Sequence, residues 1–79
     1  MQNIIFTKHA LDMIKEREIS ESWIKDTITN PDYTEIKSNE EIHYIKQIKE
    51  NGNRFLRVVV NLITRPNKIV TVFFDRRLK

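Results

Sequence analysis

The chain has 79 residues, 39% hydrophobic and 32% charged, with no cysteine, one glycine and two prolines. That is enough for a single domain, residues 1–79, and it excludes a disulfide framework, a cysteine zinc site and a collagen-like repeat. The net charge of +3 conceals a split: residues 1–41 carry five basic and nine acidic side chains, residues 42–79 nine basic ones against only Glu50 and Asp75. A basic C-terminal half in a chain of pI about 9.4 suggests a polyanionic partner, RNA or DNA. The alternative is a solvated sheet edge that uses Lys and Arg against aggregation.

The longest apolar runs, Val58-Val59-Val60 and Val72-Phe73-Phe74, are far short of the ~20 residues that a membrane span needs. The opening Met-Gln-Asn-Ile-Ile-Phe-Thr has neither the basic flank nor the cleavage site of a signal peptide. A cytoplasmic chain with no membrane contact is expected.

In chain order, Thr7 is a good N-cap for a helix running to about Glu18, and Ser20 for a second one ending near Asn30-Pro31. On the first helix Ala10, Leu11, Met13 and Ile14 span one apolar arc. Arg17 falls inside that arc and His9 at its edge. The second places Trp23, Ile24, Thr27 and Ile28 on one face. From Tyr33 the period changes to two. Tyr33–Lys37 reads as a weak strand, Ile42–Lys49 as a stronger one, then Arg54–Ile63 and Ile69–Asp75, with turns at Asn51-Gly52 and Pro66-Asn67. The fold class expected is α+β: two N-terminal helices packed on a three- to four-stranded antiparallel sheet, ααββββ.

If both turns are two-residue hairpin loops, residue 46 faces 57 and residue 57 faces 76. Lys46, Arg57 and Arg76 then line up across three strands with Tyr44 beside them, while Ile45, Val58, Val60 and Phe73 gather on the other face as a core. Like charges directly opposite destabilise a sheet, so such a row suits a site that grips phosphate. One extra loop residue would put Lys46 and Arg57 on opposite faces.

There is no Gly-rich phosphate loop, no His-Glu-x-x-His and no nucleophile elbow; His9 and His43 without cysteine do not make a structural zinc site. No metal or cofactor is expected.

Phe6-Thr7-Lys8-His9-Ala10-Leu11 and Lys15-Glu16-Arg17-Glu18-Ile19-Ser20 resemble the opening F-x-x-H-A-x-x-R-M-x-x-R-G-I-S of a family of small uncharacterised bacterial domains. Arg57-Val58-Val59-Val60 and Ile69-Val70-Thr71-Val72 match its later strands. That family looks like a relative of the RelE and BrnT toxins of toxin–antitoxin pairs. Those toxins have helices against a small antiparallel sheet, a RelE-like fold, and cut RNA without metal. The resemblance implies His9 or Tyr44 in proton transfer, with Arg17, Lys46 and Arg57 stabilising charge as the RNA 2′-hydroxyl attacks.

The RNA-binding set expected is Lys46, Arg54, Arg57, Arg76 and Arg77. The partners implied are RNA, ribosome-bound or free, and an antitoxin. Two departures stand out: Met13 where the pattern has Arg, and Glu18 where it has Gly. The function expected is a metal-independent ribonuclease toxin; the alternative is a non-catalytic RNA- or protein-binding module of the same fold.

Overall fold

The computed structural model describes residues 4–78. Met1–Asn3, which entered the signal-peptide reading, and Lys79, which entered the charge count, lie outside the described residues. The elements are β1 (Ile4–Phe6), α1 (Lys8–Glu16), α2 (Glu21–Thr29), β2 (Tyr33–Ser38), β3 (Glu41–Ile48), a 3-10 turn at Lys49–Asn51, β4 (Arg54–Asn61) and β5 (Asn67–Phe74). The strands form one five-stranded sheet in the order β1-β5-β4-β3-β2.

This corrects the expected sheet. The order is βααββββ, and β1 runs parallel to β5, with Ile4 opposite Asn67 and Phe6 opposite Ile69. The sheet is therefore mixed and five-stranded. The fold remains α+β. A three-residue strand just before a helix cap has too few residues to show a period, which is why the sequence hides it.

The helices follow their caps. Thr7 accepts a hydrogen bond from the Ala10 N–H through its side chain (3.1 Å), satisfying one of the orphan donors of α1. Arg17 ends that helix, and Glu18 takes φ +52°, the left-handed turn that Gly would occupy without strain. Ser20 occupies the N-cap of α2, but its hydroxyl bonds Ser22 Oγ (2.8 Å) and makes no cap bond. Within α2, the fully buried Thr27 returns its hydroxyl to the Trp23 carbonyl (2.7 Å).

Ala10, Ile14, Ile19 and Ile24 pack onto Ile48, Leu56, Val58, Val60, Ile69 and Val72, and this is the core. It lies between both helices and one face of the sheet.

Both hairpins differ from the two-residue loops expected. Ile48 pairs with Arg54, leaving five residues between them: Lys49–Asn51 make the 3-10 turn, and Gly52 and Asn53 are both left-handed, at φ +60° and +61°. The left-handed pair is thus Gly-Asn, one step later than the Asn-Gly pair that looked like the turn. As a result Arg57 faces Ile45, and Lys46 faces Leu56.

The second loop runs over residues 62–66, and an extra residue, Val70, sits between the pairs Val59–Thr71 and Val60–Ile69. Arg57 faces Phe73 there, and Arg76 lies beyond the end of β5. Lys46 and Tyr44 are consequently on the helix-covered face, and Arg57 is on the opposite one. The three-cation row does not form. Val58 and Val60 are core residues as expected, whereas Ile45 and Phe73 belong to the other face.

Candidate functional site

Arg57, on the face away from the helices, is only 4% exposed. Its Nε donates to Asp75 Oδ2 (2.9 Å), and its Nη1 donates to Glu35 Oε1 (2.9 Å) and to His43 Nδ1 (2.8 Å). A guanidinium has no acceptor, so His43 must accept through Nδ1 and carry its proton on Nε2, where it donates to Glu41 Oε1 (2.8 Å). Lys37 adds a second cation on Glu35 (2.9 Å). Arg77 grips Asp75 through both its backbone N–H and its guanidinium (3.0 and 3.2 Å).

The hydrogen bonds from Arg57 and then Lys37 hold the Glu35 carboxyl at about 2. For Asp75 the hydrogen bond from Arg77 is the largest cause, assisted by Arg57 and opposed by burial, and its carboxyl is likewise held at about 2. Every charge Arg57 offers is already met by a carboxylate. A buried guanidinium whose charge is met by two carboxylates organises the sheet and is poorly placed to grip a phosphate.

Lys46 is also committed. Its Nζ donates to the Asn30 carbonyl at the C-cap of α2 (2.9 Å), with Asp26 and Asp32 at 3.9 and 4.0 Å. A cation there meets the negative end of the helix dipole. Tyr44 is half-buried against the core, and His9 is exposed on the first turn of α1. His9, Arg17, Tyr44, Lys46 and Arg57 are therefore not brought to one place.

A different set converges. β1 covers only Asn67–Ile69 of β5, so beyond Ile69 the outer edge of β5 has no strand partner among the described residues. The C-terminal end of α1 lies along that edge: Thr71 Oγ1 reaches Met13 Sδ (3.0 Å), and Arg17 Nη1 reaches the Val72 carbonyl at a long 3.4 Å. Met13, Arg17, Asn51, Arg54, Phe73, Phe74 and Arg76 line an open groove of about 490 Å³ here.

Arg54 stacks its guanidinium 4.5 Å above the centre of the Phe74 ring, and Phe74 in turn meets Trp23 edge-on at 6.2 Å. Stacking fixes the plane of that guanidinium and leaves its donors free at the rim. Among the described residues no carboxylate lines the groove, and Arg17, Arg54 and Arg76 form no ion pair.

Residues 6–74 match the model of a family described as Domain of unknown function (DUF4258). The chain belongs to that family. Comparison with curated proteins and with solved structures gave no match. For this DUF4258 domain the site must accordingly be read from its own geometry.

Of the expected RNA contacts, Arg54 and Arg76 are in the groove, joined by Arg17 from the expected reaction set. Lys46 and Arg57 are paired elsewhere, and Arg77 is exposed but neutralised by Asp75. Sequence reasoning missed Glu35, His43 and Asp75 as partners of Arg57, and Phe73 and Phe74 as groove walls. Asp75 did carry a signal, being one of only two acids in the basic half. Among the described residues no helix is long and apolar enough to cross a membrane. Among the described residues no group of three His, Asp or Glu is arranged to hold a metal ion.

Proposed function

We propose that this domain is an RNA-binding module that grips the backbone of a single strand in the groove between the end of α1 and the edge of β5. The observation that carries this reading is the convergence of Arg17, Arg54 and Arg76 on one concavity with no carboxylate in its lining. Unpaired guanidiniums at a concave surface are where phosphate binding releases counterions without first breaking an ion pair. Phe73 and Phe74, on opposite faces at the end of β5, border the groove with ring surface at its rim, and an unstacked base at that rim suits a single strand better than a duplex.

The test is fluorescence anisotropy of a labelled single-stranded oligoribonucleotide across salt concentrations. Three phosphate contacts on a single strand give a slope of about −2 in log K against log salt. The Arg17→Ala, Arg54→Ala, Arg76→Ala triple variant is expected to flatten that slope to near zero while remaining folded. Binding that keeps its slope in the triple variant contradicts the reading.

A second reading is a metal-independent ribonuclease toxin, restrained by an antitoxin and related to RelE and BrnT. The same groove favours it, because guanidiniums also stabilise the charge that builds when a 2′-hydroxyl attacks phosphorus. It requires a group to move a proton, and the groove lining contains no His, Tyr, Asp or Glu. His9 and Tyr44, the candidates for that role, are not among the lining residues. Binding without cleavage is thus the reading we place first. Cutting of the labelled RNA by the wild type in the presence of a chelator, lost with Arg54→Ala, would move the toxin ahead of it.

A further inference from the structure

The two edges of the sheet are unequal. On one side β1 is only three residues long, too short to template another strand. On the other, β2 offers six residues, Tyr33–Ser38, of which all but Glu35 are exposed. The strand holds no Pro, and its one irregularity is the bulge at Lys37, between the pairs Ile36–Ile42 and Ser38–Glu41. At its centre Ile36 is 77% exposed, the most exposed large apolar side chain of the described residues. Ile36 pairs with Ile42, which packs against the core, so the apolar layer under the helices runs out to this edge and stops in solvent.

We propose that β2 is the docking edge for a second copy of this chain, pairing antiparallel with its own counterpart about a two-fold axis opposite Ile36. Charge complementarity selects both the occupant and the register. With Ile36 against Ile36 of the second copy, Glu35 meets Lys37 twice, once on each side of the axis. Moving the axis to Glu35 sets Glu35 against itself, and moving it to Lys37 sets Lys37 against itself. A parallel in-register pairing does both. Like charges directly opposite are unfavourable and opposite charges favourable, so of these pairings the Ile36 axis is the favoured one.

Glu35 and Lys37 already touch within the strand (2.9 Å), on the face opposite Ile36. Across the axis the same two residue types meet again, so the existing ion pair is extended into a four-charge cluster with no like charges opposed. The interface is isologous and closes at two copies, turning two five-stranded sheets into one of ten strands. A different protein adding a strand here is the competing occupant, and the experiment separates the two.

The chain has no cysteine, so single cysteines report the register directly. Under mild oxidant the Ile36→Cys variant is expected to form a disulfide-linked dimer in high yield, because residues opposite each other on the axis bring Cβ atoms to roughly 4.5–5.5 Å. Thr34→Cys, which lies two residues from the axis and does not face itself, is expected to stay largely unlinked. Sedimentation of the cysteine-free wild type, run at roughly 10–500 µM as suits a small interface, is expected to show a concentration-dependent dimer. Lys37→Glu, which places Glu opposite Glu twice, should abolish it, and Arg54→Ala, in the groove, should leave it intact. A wild type that stays monomeric throughout overturns the proposal in favour of a foreign strand or none. A dimer that survives Lys37→Glu, or crosslinks equally at positions 34 and 36, overturns the register.

Discussion

Two sets of arginines in one small domain have opposite fates. Arg57 lies under the open face of the sheet with Asp75, Glu35 and His43 on its donors, and its side chain is 5% exposed. Arg17, Arg54 and Arg76 surround a groove with no carboxylate in its wall. The residue type is identical; the difference is whether an acid has been placed within reach. A guanidinium with its own carboxylate serves the fold, and one without is available to a ligand. In a chain whose basic half contains only two acids, the position of Asp75 decides which arginine belongs to which group.

The contrast can be broken most severely at Arg57. Arg57→Met leaves Asp75 buried with only the exposed Arg77 to meet it. It is expected to cost about 3 kcal/mol, measured as a lower urea midpoint with unchanged m. Arg76→Ala, by comparison, is expected to move stability by no more than about 0.5 kcal/mol, and Arg54→Ala, which loses its stack on Phe74, by about 0.5–1 kcal/mol, while each lowers RNA affinity and the salt slope.

Acid sharpens the same distinction. Glu35 and Asp75 ordinarily titrate at 4.5 and 3.8, and in the fold both are held at about 2. Across that interval the unfolded chain binds more protons than the folded one. The stabilisation is therefore complete above pH 4.5 and lost as the pH falls through about 2. Urea midpoints measured down this range should fall more steeply for the wild type than for Arg57→Met, which has lost the largest cause of the Glu35 shift and a lesser one of the Asp75 shift, whose main partner Arg77 remains.

Smaller effects follow at the helix ends. Glu18→Gly relieves a left-handed residue with a Cβ and should add about 1 kcal/mol. Lys46→Met removes the cation at the C-cap of α2 and should cost about 0.5–1 kcal/mol, with no change in RNA binding. A loss of binding in Lys46→Met would mean that this lysine leaves its helix cap to meet RNA.

Much of the fold was legible in the sequence because local chemistry wrote it. Thr7 and Asn30-Pro31 bound helices where caps and breakers require, and the period-two runs became β2 to β5. Glu18 even betrayed its left-handed turn by standing where Gly is expected. What stayed hidden was register. Whether Lys46 and Arg57 share a face depends on one residue in the loop at 49–53, and a bulge at Val70 reset β5.

The expected row of Lys46, Arg57 and Arg76 therefore dissolved, while Arg17, Arg54 and Arg76, placed by the end of a helix, the start of β4 and the turn after β5, came together. No periodicity links those three positions. Their meeting is a tertiary fact, as is the parallel β1 that leaves the rest of the β5 edge open for Arg17.

The most direct test compares two charge-matched triple variants binding a labelled single-stranded RNA. One carries Arg17→Ala, Arg54→Ala and Arg76→Ala; the other carries Lys8→Ala, Lys15→Ala and Lys25→Ala, three exposed cations outside the groove. If the unpaired arginines are the grip, the groove variant loses roughly 100-fold in affinity at low salt, with a flat salt dependence, and the lysine variant changes only a few-fold. Equal losses in the two would show that net charge alone attracts the RNA, and would contradict the groove as its site.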